Sequence, residues 1–199
     1  MTYSDFNLRD VRHCFGLALT EHLDLFKEVS AIPVSSRLQE ALNEWSPVAL
    51  AVNTEKARSE MIIAPILMEL VLLCEKRVSL FSGISFDVDK AQGLTGICDY
   101  LLSRSPERFY ISQPVIAVVE AKKENISAGL GQCAAEMVAA SAYNQQSGIS
   151  NEVIFGAVTT GSNWRFLKLE ATTLFIDRPE YYLDQIGKIM GILQKMVDN

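Results

Sequence analysis

The segment PVIAVVEAKKE, residues 114–124, constrains the fold more than any other part of this chain. It is an apolar, mostly β-branched run that ends in charged residues. In a strand, alternate side chains share a face, so Ile116 and Val118 lie on the same side as Glu120 and Lys122. The other face is apolar throughout. A strand that is apolar on both faces is covered on both sides, so this segment predicts a central strand of an α/β sheet.

The charged end of this strand, Glu120 and Lys122, has two interpretations. One is half of a metal-dependent hydrolytic site, and the other is an ordinary ion pair at the end of a strand. Average usage of Glu and Lys produces the pattern E-x-K by chance in many chains of this size. The remainder of the sequence therefore has to decide between the two.

Length and charge limit the class of protein. The chain has 199 residues, enough for one compact domain. We expect a single domain over 1–199, with an N-terminal helical cover over 1–50, a core over 54–170 and a closing helix over 178–198. The formal net charge of −6 argues against a broad non-specific nucleic-acid surface, although it leaves room for a local basic groove.

Cysteine usage and hydropathy predict a cytoplasmic protein that has no membrane partner. The four cysteines are widely spaced without a CxxC pair, so we expect buried free thiols instead of a zinc site or disulfide framework. No basic segment precedes an apolar run at the N-terminus, so no signal peptide is predicted. The longest apolar run, residues 61–74, is interrupted by Pro65 and Glu69 and is too short to cross a bilayer.

Periodicity predicts helices first and a mixture of strands and helices afterwards. An apolar stripe of Leu8, Val11, Phe15, Leu19, Leu23 and Phe26 predicts a helix over 4–29 with Ser4 as its N-cap. Further helices are predicted over 36–45 and 54–77, the latter broken or kinked at Pro65. These N-terminal helices could cover the sheet, mediate dimerisation or hold a partner.

After residue 78 the hydrophobic period changes, and strands are predicted over 78–88, 95–102, 114–122, 153–159 and 164–170. A short edge strand is expected at Phe175, and helices are expected over 127–146 and 179–197. This order predicts one α/β domain with a mixed sheet.

Asp99, in the segment TGICDYLL, is the first residue that favours a site around Glu120. A carboxylate inside a buried strand costs several kcal/mol unless it is paired or binds a metal. If its strand neighbours the 114–122 strand, Asp99 and Glu120 can converge. Two close carboxylates repel, which raises the pKa of one of them unless a cation neutralises both. Mg²⁺ suits such a pair because it accepts one or two carboxylates and keeps several waters.

Two helical residues complete the candidate site. Glu60 shares a helical face with Ala64 and Leu67, although a solvent-exposed side chain masked by Arg58 or Lys56 is the alternative. Gln132 lies in the first half of the helix after the central strand, and Glu136 follows one turn later on the same face. The start of such a helix lies near the carboxyl end of the sheet, where ligands bind in open α/β folds.

This ordered set resembles the PD-(D/E)XK nuclease superfamily over residues 54–170. The matching positions are Glu60 on a helix, GICD with Asp99, VVEAK with Glu120 and Lys122, and Gln132 on the next helix. Cys98 stands where the name of the family has proline. The segment GAVTTGSNWRFLKL, residues 156–169, is similar to the hairpin after the core in the nuclease domains of type I restriction motor subunits. The resemblance implies a restriction-endonuclease-like, three-layer α/β/α core with a mixed sheet and extra N-terminal helices.

The function that the resemblance implies is a metal-dependent phosphodiester hydrolase acting on nucleic acid, with DNA as the first expectation, in restriction, repair or defence. Asp99, Glu120 and the Ala121 carbonyl would hold Mg²⁺ or Mn²⁺, which would lower the pKa of a bound water. Lys122 would orient or deprotonate that water. The remaining implied roles are a water-mediated or second-metal ligand for Glu60, positioning of the nucleophile or phosphate for Gln132, and a phosphate contact for Lys123.

A different class of function stays open at this point, namely a catalytically silent binding or assembly module with the same fold. Other enzyme classes have less support. His13 and His22 are far from any serine or cysteine motif, and Gly129 and Gly131 do not extend to a dinucleotide fingerprint. The acidity of the chain also predicts a homodimer or a protein partner that supplies basic surface.

Overall fold

A mixed sheet of eight strands organises the part of the chain that the computed structural model describes, residues 1–75, 77–149 and 153–199. The strand order is β1-β7-β6-β5-β4-β3-β2, and β8 pairs with β6. The pairs β1–β7 and β4–β5 are parallel and the other neighbours are antiparallel. The strands are β1 (Ala18–Thr20), β2 (Ser79–Ser85), β3 (Ile97–Ser103), β4 (Val115–Ala121), β5 (Ile154–Thr159), β6 (Asn163–Glu170), β7 (Thr173–Ile176) and β8 (Tyr181–Tyr182).

Helices cover both faces of this sheet. They are α1 (Leu8–Cys14), α2 (Ser36–Val52), α3 (Glu55–Arg58), α4 (Ala64–Leu73), α5 (Ile126–Gln146) and α6 (Ile186–Asp198), with a π turn over Ser59–Ile63 and 3₁₀ turns over Tyr3–Asp5 and Leu183–Gln185. Buried side chains of α2, α4 and α6 share one core with the sheet, and those of α1 and α5 share the other. The predicted three-layer α/β/α class with a mixed sheet is therefore confirmed.

Strand β4 is the covered central strand that the sequence predicts. All seven of its residues are buried, and it lies between β3 and β5. Its first residue is held by α5, because the Asn144 side chain accepts from the Val115 N–H and donates to the Val115 carbonyl, each at 2.8 Å. A strand with apolar residues on both faces has no solvent-facing side, so periodicity and burial agree here.

The predicted helix over 4–29 is wrong. Helix α1 ends at Cys14, and its N-cap is Asn7, whose side chain accepts from the Asp10 N–H at 3.0 Å, instead of Ser4. Gly16 then adopts a φ of +63°, which ends the helix, and β1 follows in parallel pairing with β7. The apolar stripe that suggested one helix is divided between the two cores, with Val11 in one and Phe26 in the other.

The next two helices have different ends from those predicted. Helix α2 continues past residue 45, through Pro47, and ends at Val52, where Asn53 takes a left-handed conformation with φ of 52°. No break occurs at Pro65: the backbone stays helical from Glu55 to Leu73, with a π turn over Ser59–Ile63, and Pro65 lies in the first turn of α4, where a missing N–H is tolerated. Helix α4 ends at Leu73 instead of 77, and residue 76 lies outside the described residues.

The C-terminal part departs from the prediction in two places. Phe175 lies in β7, which is paired on both sides by β6 and β1 and is therefore not an edge strand. The helix predicted over 179–197 begins only at Ile186, because Tyr181 and Tyr182 pair with β6 as β8. Across the described ranges, no helix has the length and apolar character needed to cross a membrane.

Candidate active site

Asp99 and Glu120 lie on neighbouring strands at the same end of the sheet. The antiparallel register of β3 and β4 pairs Tyr100 with Val119, and one further step places Asp99 opposite Glu120. Opposite residues of an antiparallel pair have Cβ atoms about 4.5–5.5 Å apart on one face. The Asp99 Oδ2 atom also accepts from the Ala121 N–H at 2.8 Å. The structure thus brings the two predicted carboxylates together.

Glu120 is a buried carboxylate of which one oxygen accepts a hydrogen bond and the other has no partner in the described structure. Its side chain is 1% exposed, and its Oε1 accepts a charge-assisted hydrogen bond from the Lys122 Nζ. Its Oε2 has no hydrogen-bond partner among the described residues. A buried polar atom without a partner is costly, so this oxygen is available to a ligand.

Lys122 continues a hydrogen-bonded chain onto α5. Its Nζ donates to the Gln132 Oε1 at 3.3 Å, and the Gln132 Nε2 donates to the Glu136 Oε1 at 3.1 Å. Glu136 is fully buried, and its Oε2 lacks a partner within the described chain. Because Glu136 accepts the amide N–H of Gln132, the amide oxygen is turned toward Lys122. Helix α5 therefore fixes the orientation of the lysine.

Glycine allows α5 to approach the strand end this closely. A Cβ atom at Gly129 would lie 2.6 Å from the Val158 Cγ1 and 3.1 Å from the Lys122 Cγ. Any larger residue would displace the aliphatic part of the lysine or the neighbouring strand. The contact thus positions Lys122 by packing as well as by hydrogen bonds.

Burial and like charges raise the pKa values of both glutamates. Burial, followed by the charge of Asp99, raises the pKa of Glu120 to about 8 despite the nearby lysine. Burial, with the charge of Glu120 second, raises the pKa of Glu136 well above its ordinary value. Burial alone would lower the pKa of Lys122, but the charge and hydrogen bond of Glu120 outweigh it and raise the lysine pKa. The single charge of Lys122 therefore does not offset the burial of the two carboxyl groups.

Glu60 lies at the edge of this site and outside its buried part. A cavity of 390 Å³ is lined by Glu55, Glu60, Asp99 and Ala121 among others. The Glu60 side chain is 61% exposed and forms an ion pair with Lys56 at 3.7 Å. This is the alternative considered for Glu60, an exposed side chain masked by Lys56. The expectation that it packs on an apolar helix face is wrong, because the π turn changes the helical spacing at this point.

Two acidic residues that sequence reasoning left without a role belong to the site. Glu55 lines the same cavity, and its charge contributes to the raised pKa of Glu120. Glu136 ends the hydrogen-bonded chain described above. The available signal for Glu136 was its position one turn after Gln132 on an otherwise small and apolar helix face. Glu55 follows the N-cap Thr54, where an acidic residue is ordinary, so it gave no separate signal.

Lys123 takes no part in the hydrogen-bonded chain that runs from Glu120 to Glu136 in the described structure. Its side chain is half-exposed and forms an ion pair with Glu124 at 3.4 Å. Glu124 in turn accepts from the Asn53 Nδ2 at 3.2 Å, and the Asn53 Oδ1 accepts from Arg58. The Arg58 guanidinium also donates to the Thr160 carbonyl at 2.9 Å. The loops around the strand end are therefore linked to each other.

The donor set fits a cation that needs few protein ligands. Within the described ranges, no group of three or more His, Cys, Asp or Glu side chains is arranged to hold a metal ion. Mg²⁺ is held by one or two carboxylates and keeps several waters, so Asp99 and the partnerless Glu120 oxygen fit it.

Comparison of the chain with protein-family models, with curated proteins and with solved structures gave no match.

Proposed function

We propose that the protein is a metal-dependent phosphodiester hydrolase that cuts nucleic acid, with DNA as the substrate to test first. The observation that carries the proposal is the arrangement of the buried Glu120, which lies beside Asp99 at the end of the sheet. One of its carboxylate oxygens accepts from Lys122, and the other has no partner within the described chain. An ordinary ion pair at a strand end is exposed and needs no second carboxylate beside it.

Each residue has a role that follows from its contacts. Asp99, Glu120 and the Ala121 carbonyl would hold Mg²⁺ or Mn²⁺, which supplies charge neutralisation and a water of lowered pKa. Lys122, oriented by Gln132, places a positive charge beside the reacting phosphate and aligns the attacking water. Lys123, whose half-exposed side chain follows the strand end, would contact a flanking phosphate. Glu60 lines the cavity that contains Asp99, where it would bind the metal through a water.

The second candidate is a catalytically silent module of the same fold. It is favoured by the absence of a three-residue metal cluster among the described residues and by the involvement of Glu60 in a surface ion pair. In that case the Glu120–Lys122 pair would be structural. Superfamily folds host both active and inactive members, so the fold does not decide between them.

Cleavage of supercoiled plasmid and of single-stranded DNA in Mg²⁺ and in Mn²⁺ tests the proposal. The comparison is between the wild type, Glu120→Gln and Lys122→Met. The chain offers a matched control on β6, where Lys168 and Glu170 form an ion pair at 2.8 Å with the same two-residue spacing. We expect activity to fall at least about a hundredfold in both site variants, as for the loss of a major electrostatic contribution, and to persist in Lys168→Met.

Calorimetric titration with Mn²⁺ separates the two candidates. Metal binding that is lost in Glu120→Gln supports the hydrolase. Cleavage that survives unchanged in both site variants would show that a contaminant is responsible. A protein that neither cuts DNA nor binds Mn²⁺ would be the silent module. The cytoplasmic location proposed for this activity is tested by cell fractionation.

A further inference from the structure

The solvent side of α4 is as apolar as its core side. The helix reads APILMELVLL, in which Glu69 is the only charged residue. Glu69 is itself buried and accepts from the Ser35 N–H at 2.8 Å. A helix that is apolar all round is normally covered all round. Met68 is nevertheless half-exposed, so the fold leaves part of α4 uncovered.

Helix α2 extends this uncovered surface. Its Trp45 is 46% exposed and its Val48 is 51% exposed. Two cavities, of 420 and 310 Å³, meet at Trp45, which lines both of them. We call this surface the α2–α4 face, and its apolar lining includes Trp45, Val48, Met61, Pro65, Met68 and Leu72. A contiguous apolar surface of this kind marks an interaction site, in contrast to singly scattered apolar residues.

We propose that the α2–α4 face binds a second copy of this chain in a two-fold symmetric dimer. The proposal is independent of the nuclease activity, since it concerns a surface outside the Glu120 site.

Charges of opposite sign line the two cavities of this face, which suits a contact between two identical copies. Trp45 is half-exposed and lines both cavities, so two copies related by an axis near this residue would each place it against the apolar lining of the other. Arg37 lines one cavity, where it is 71% exposed beside its ion-pair partner Glu69, and Glu60 lines the other cavity. Helix α2 is 17 residues long, about 25 Å. A two-fold axis at Trp45 therefore brings Arg37 of each copy towards Glu60 of the other, as an isologous interface requires.

A membrane surface fits the same face poorly. The charged residues that line its two cavities are Arg37, Glu60 and Glu69, two acidic against one basic, on a chain of formal net charge −6. Helices that bind anionic membranes carry Lys and Arg beside their apolar face. A protein surface with both signs of charge is the better match.

The dimer would also change the surroundings of the candidate active site. Glu60 lines both the α2–α4 face and the cavity that contains Asp99. The Arg37 of the partner would then lie at the entrance to that cavity. An acidic chain would in this way obtain a positive charge beside its site.

Sedimentation velocity on the full chain, from low to high micromolar concentration, tests the proposal. The two tryptophans provide a second readout, because Trp164 is buried in the core and Trp45 lies on the face. We expect a dimer whose formation decreases acrylamide quenching of Trp45 fluorescence as concentration rises. If the chain stays monomeric at about 100 μM, the dissociation constant of the dimer is higher than a specific interface of standard size would give. That result would overturn the proposal.

Variants with a matched control locate the interface. Val48→Glu introduces a charge on the face, and we expect the dissociation constant to rise at least about a hundredfold, the equivalent of about 2.7 kcal/mol. Val52→Glu changes an apolar residue that is 55% exposed on the same helix but lines neither cavity, so it should leave the dimer intact. Circular dichroism checks that both variants fold. Equal loss of the dimer in both would place the contact elsewhere and contradict the proposal.

Discussion

At the scale of single residues, the buried pair of glutamates sets the pH dependence of stability. Burial raises the pKa of Glu120 to about 8, so the folded state holds a proton that the unfolded state releases near pH 4.5. A raised carboxyl pKa stabilises the fold below the unfolded value, and this contribution is lost as pH rises to the folded value. The protein is therefore expected to become less stable between pH 5 and pH 8 when divalent cations are absent.

Urea unfolding in EDTA at a series of pH values measures this effect. Each proton contributes at most about 1.4 kcal/mol per pH unit to the slope. Glu120→Gln should reduce the slope of the profile by the contribution of that one proton, because the glutamine side chain does not titrate. A wild-type profile that is already flat from pH 5 to pH 8 would mean that Glu120 stays ionised throughout.

Glu136 illustrates a conflict between stability and site geometry at a single position. It is fully buried with an oxygen that lacks a partner in the described chain, and its pKa is raised by burial. Replacing buried charged groups by apolar residues of similar volume is often stabilising by about 1–4 kcal/mol. We expect Glu136→Leu to increase the free energy of unfolding at pH 8 while it releases the Gln132 amide.

Two measurements check this conflict. Chemical denaturation gives the stability change, and hydrogen exchange of the Gln132 side-chain amide reports its orientation. The exchange should be slow in the wild type and in Glu136→Gln, which keeps an acceptor, and faster in Glu136→Leu. A destabilised leucine variant would show instead that the Glu136 Oε2 has a stabilising partner.

At the scale of elements, the strand–helix unit β4–α5 is tied at both ends. Asn144 satisfies both backbone groups of Val115 at the first residue of β4, and the Lys122–Gln132 hydrogen bond joins its far end to the start of α5. Each buried backbone group left unpaired costs about 1–3 kcal/mol. Asn144→Leu is therefore expected to lower the free energy of unfolding by about 2–5 kcal/mol, measured by urea denaturation.

The adjacent Gln145 is exposed and provides the control for this substitution. Gln145→Ala should change the stability by less than about 0.5 kcal/mol, as is usual for surface positions. If Asn144→Leu behaved like the control, water would have to satisfy the Val115 backbone as well as asparagine does.

The same unit shows where sequence reasoning succeeds. The run from Val115 to Val119 is apolar on both faces and α5 is a long helix of small residues, so pattern and burial specify each element locally. The pairing of Asp99 with Glu120 needed only the further assumption that β3 and β4 are neighbours. These are the parts of the fold and site that could be predicted.

The N-terminal segment and Glu60 show where it fails. The strand β1 exists because it pairs in parallel with β7, whose residues lie at the opposite end of the chain, and no local pattern contains that information. The stripe ending at Phe26 matched a helix only because residues of two different cores happened to share a helical spacing. Glu60 was misplaced because the π turn bonds i to i+5 and changes the phase of the helix.

At the scale of the whole molecule, the reactivity of the thiols measures how well the packed layers exclude solvent from the two cores. Of the four cysteines, Cys14 is exposed, while Cys74, Cys98 and Cys133 are buried and have pKa values raised by burial. Thiolates react and thiols do not, so burial and a raised pKa act together. A colorimetric thiol assay should detect one fast-reacting group in the native protein and four after denaturation.

Cys14→Ser should remove the fast reaction and leave the slow ones unchanged. The slow rates then measure the opening of the cores that contain the buried cysteines, since Cys74 lies in the core on the α4 side and Cys133 in the core on the α5 side. More than one rapid thiol in the native wild type would indicate that one of these cores is open.

The attachment of α5 at both ends of β4 has a consequence for how this chain can vary. Gln132 and Asn144 lie on one helix, and each must meet a fixed partner on the strand. One inserted or deleted residue between them would turn the two side chains relative to each other by about 100° and change their separation by about 1.5 Å. Related sequences should therefore differ along this helix by substitution and keep its length. The number of residues between the glutamine and the asparagine should then be a better sign of common descent than the identity of the residues around them.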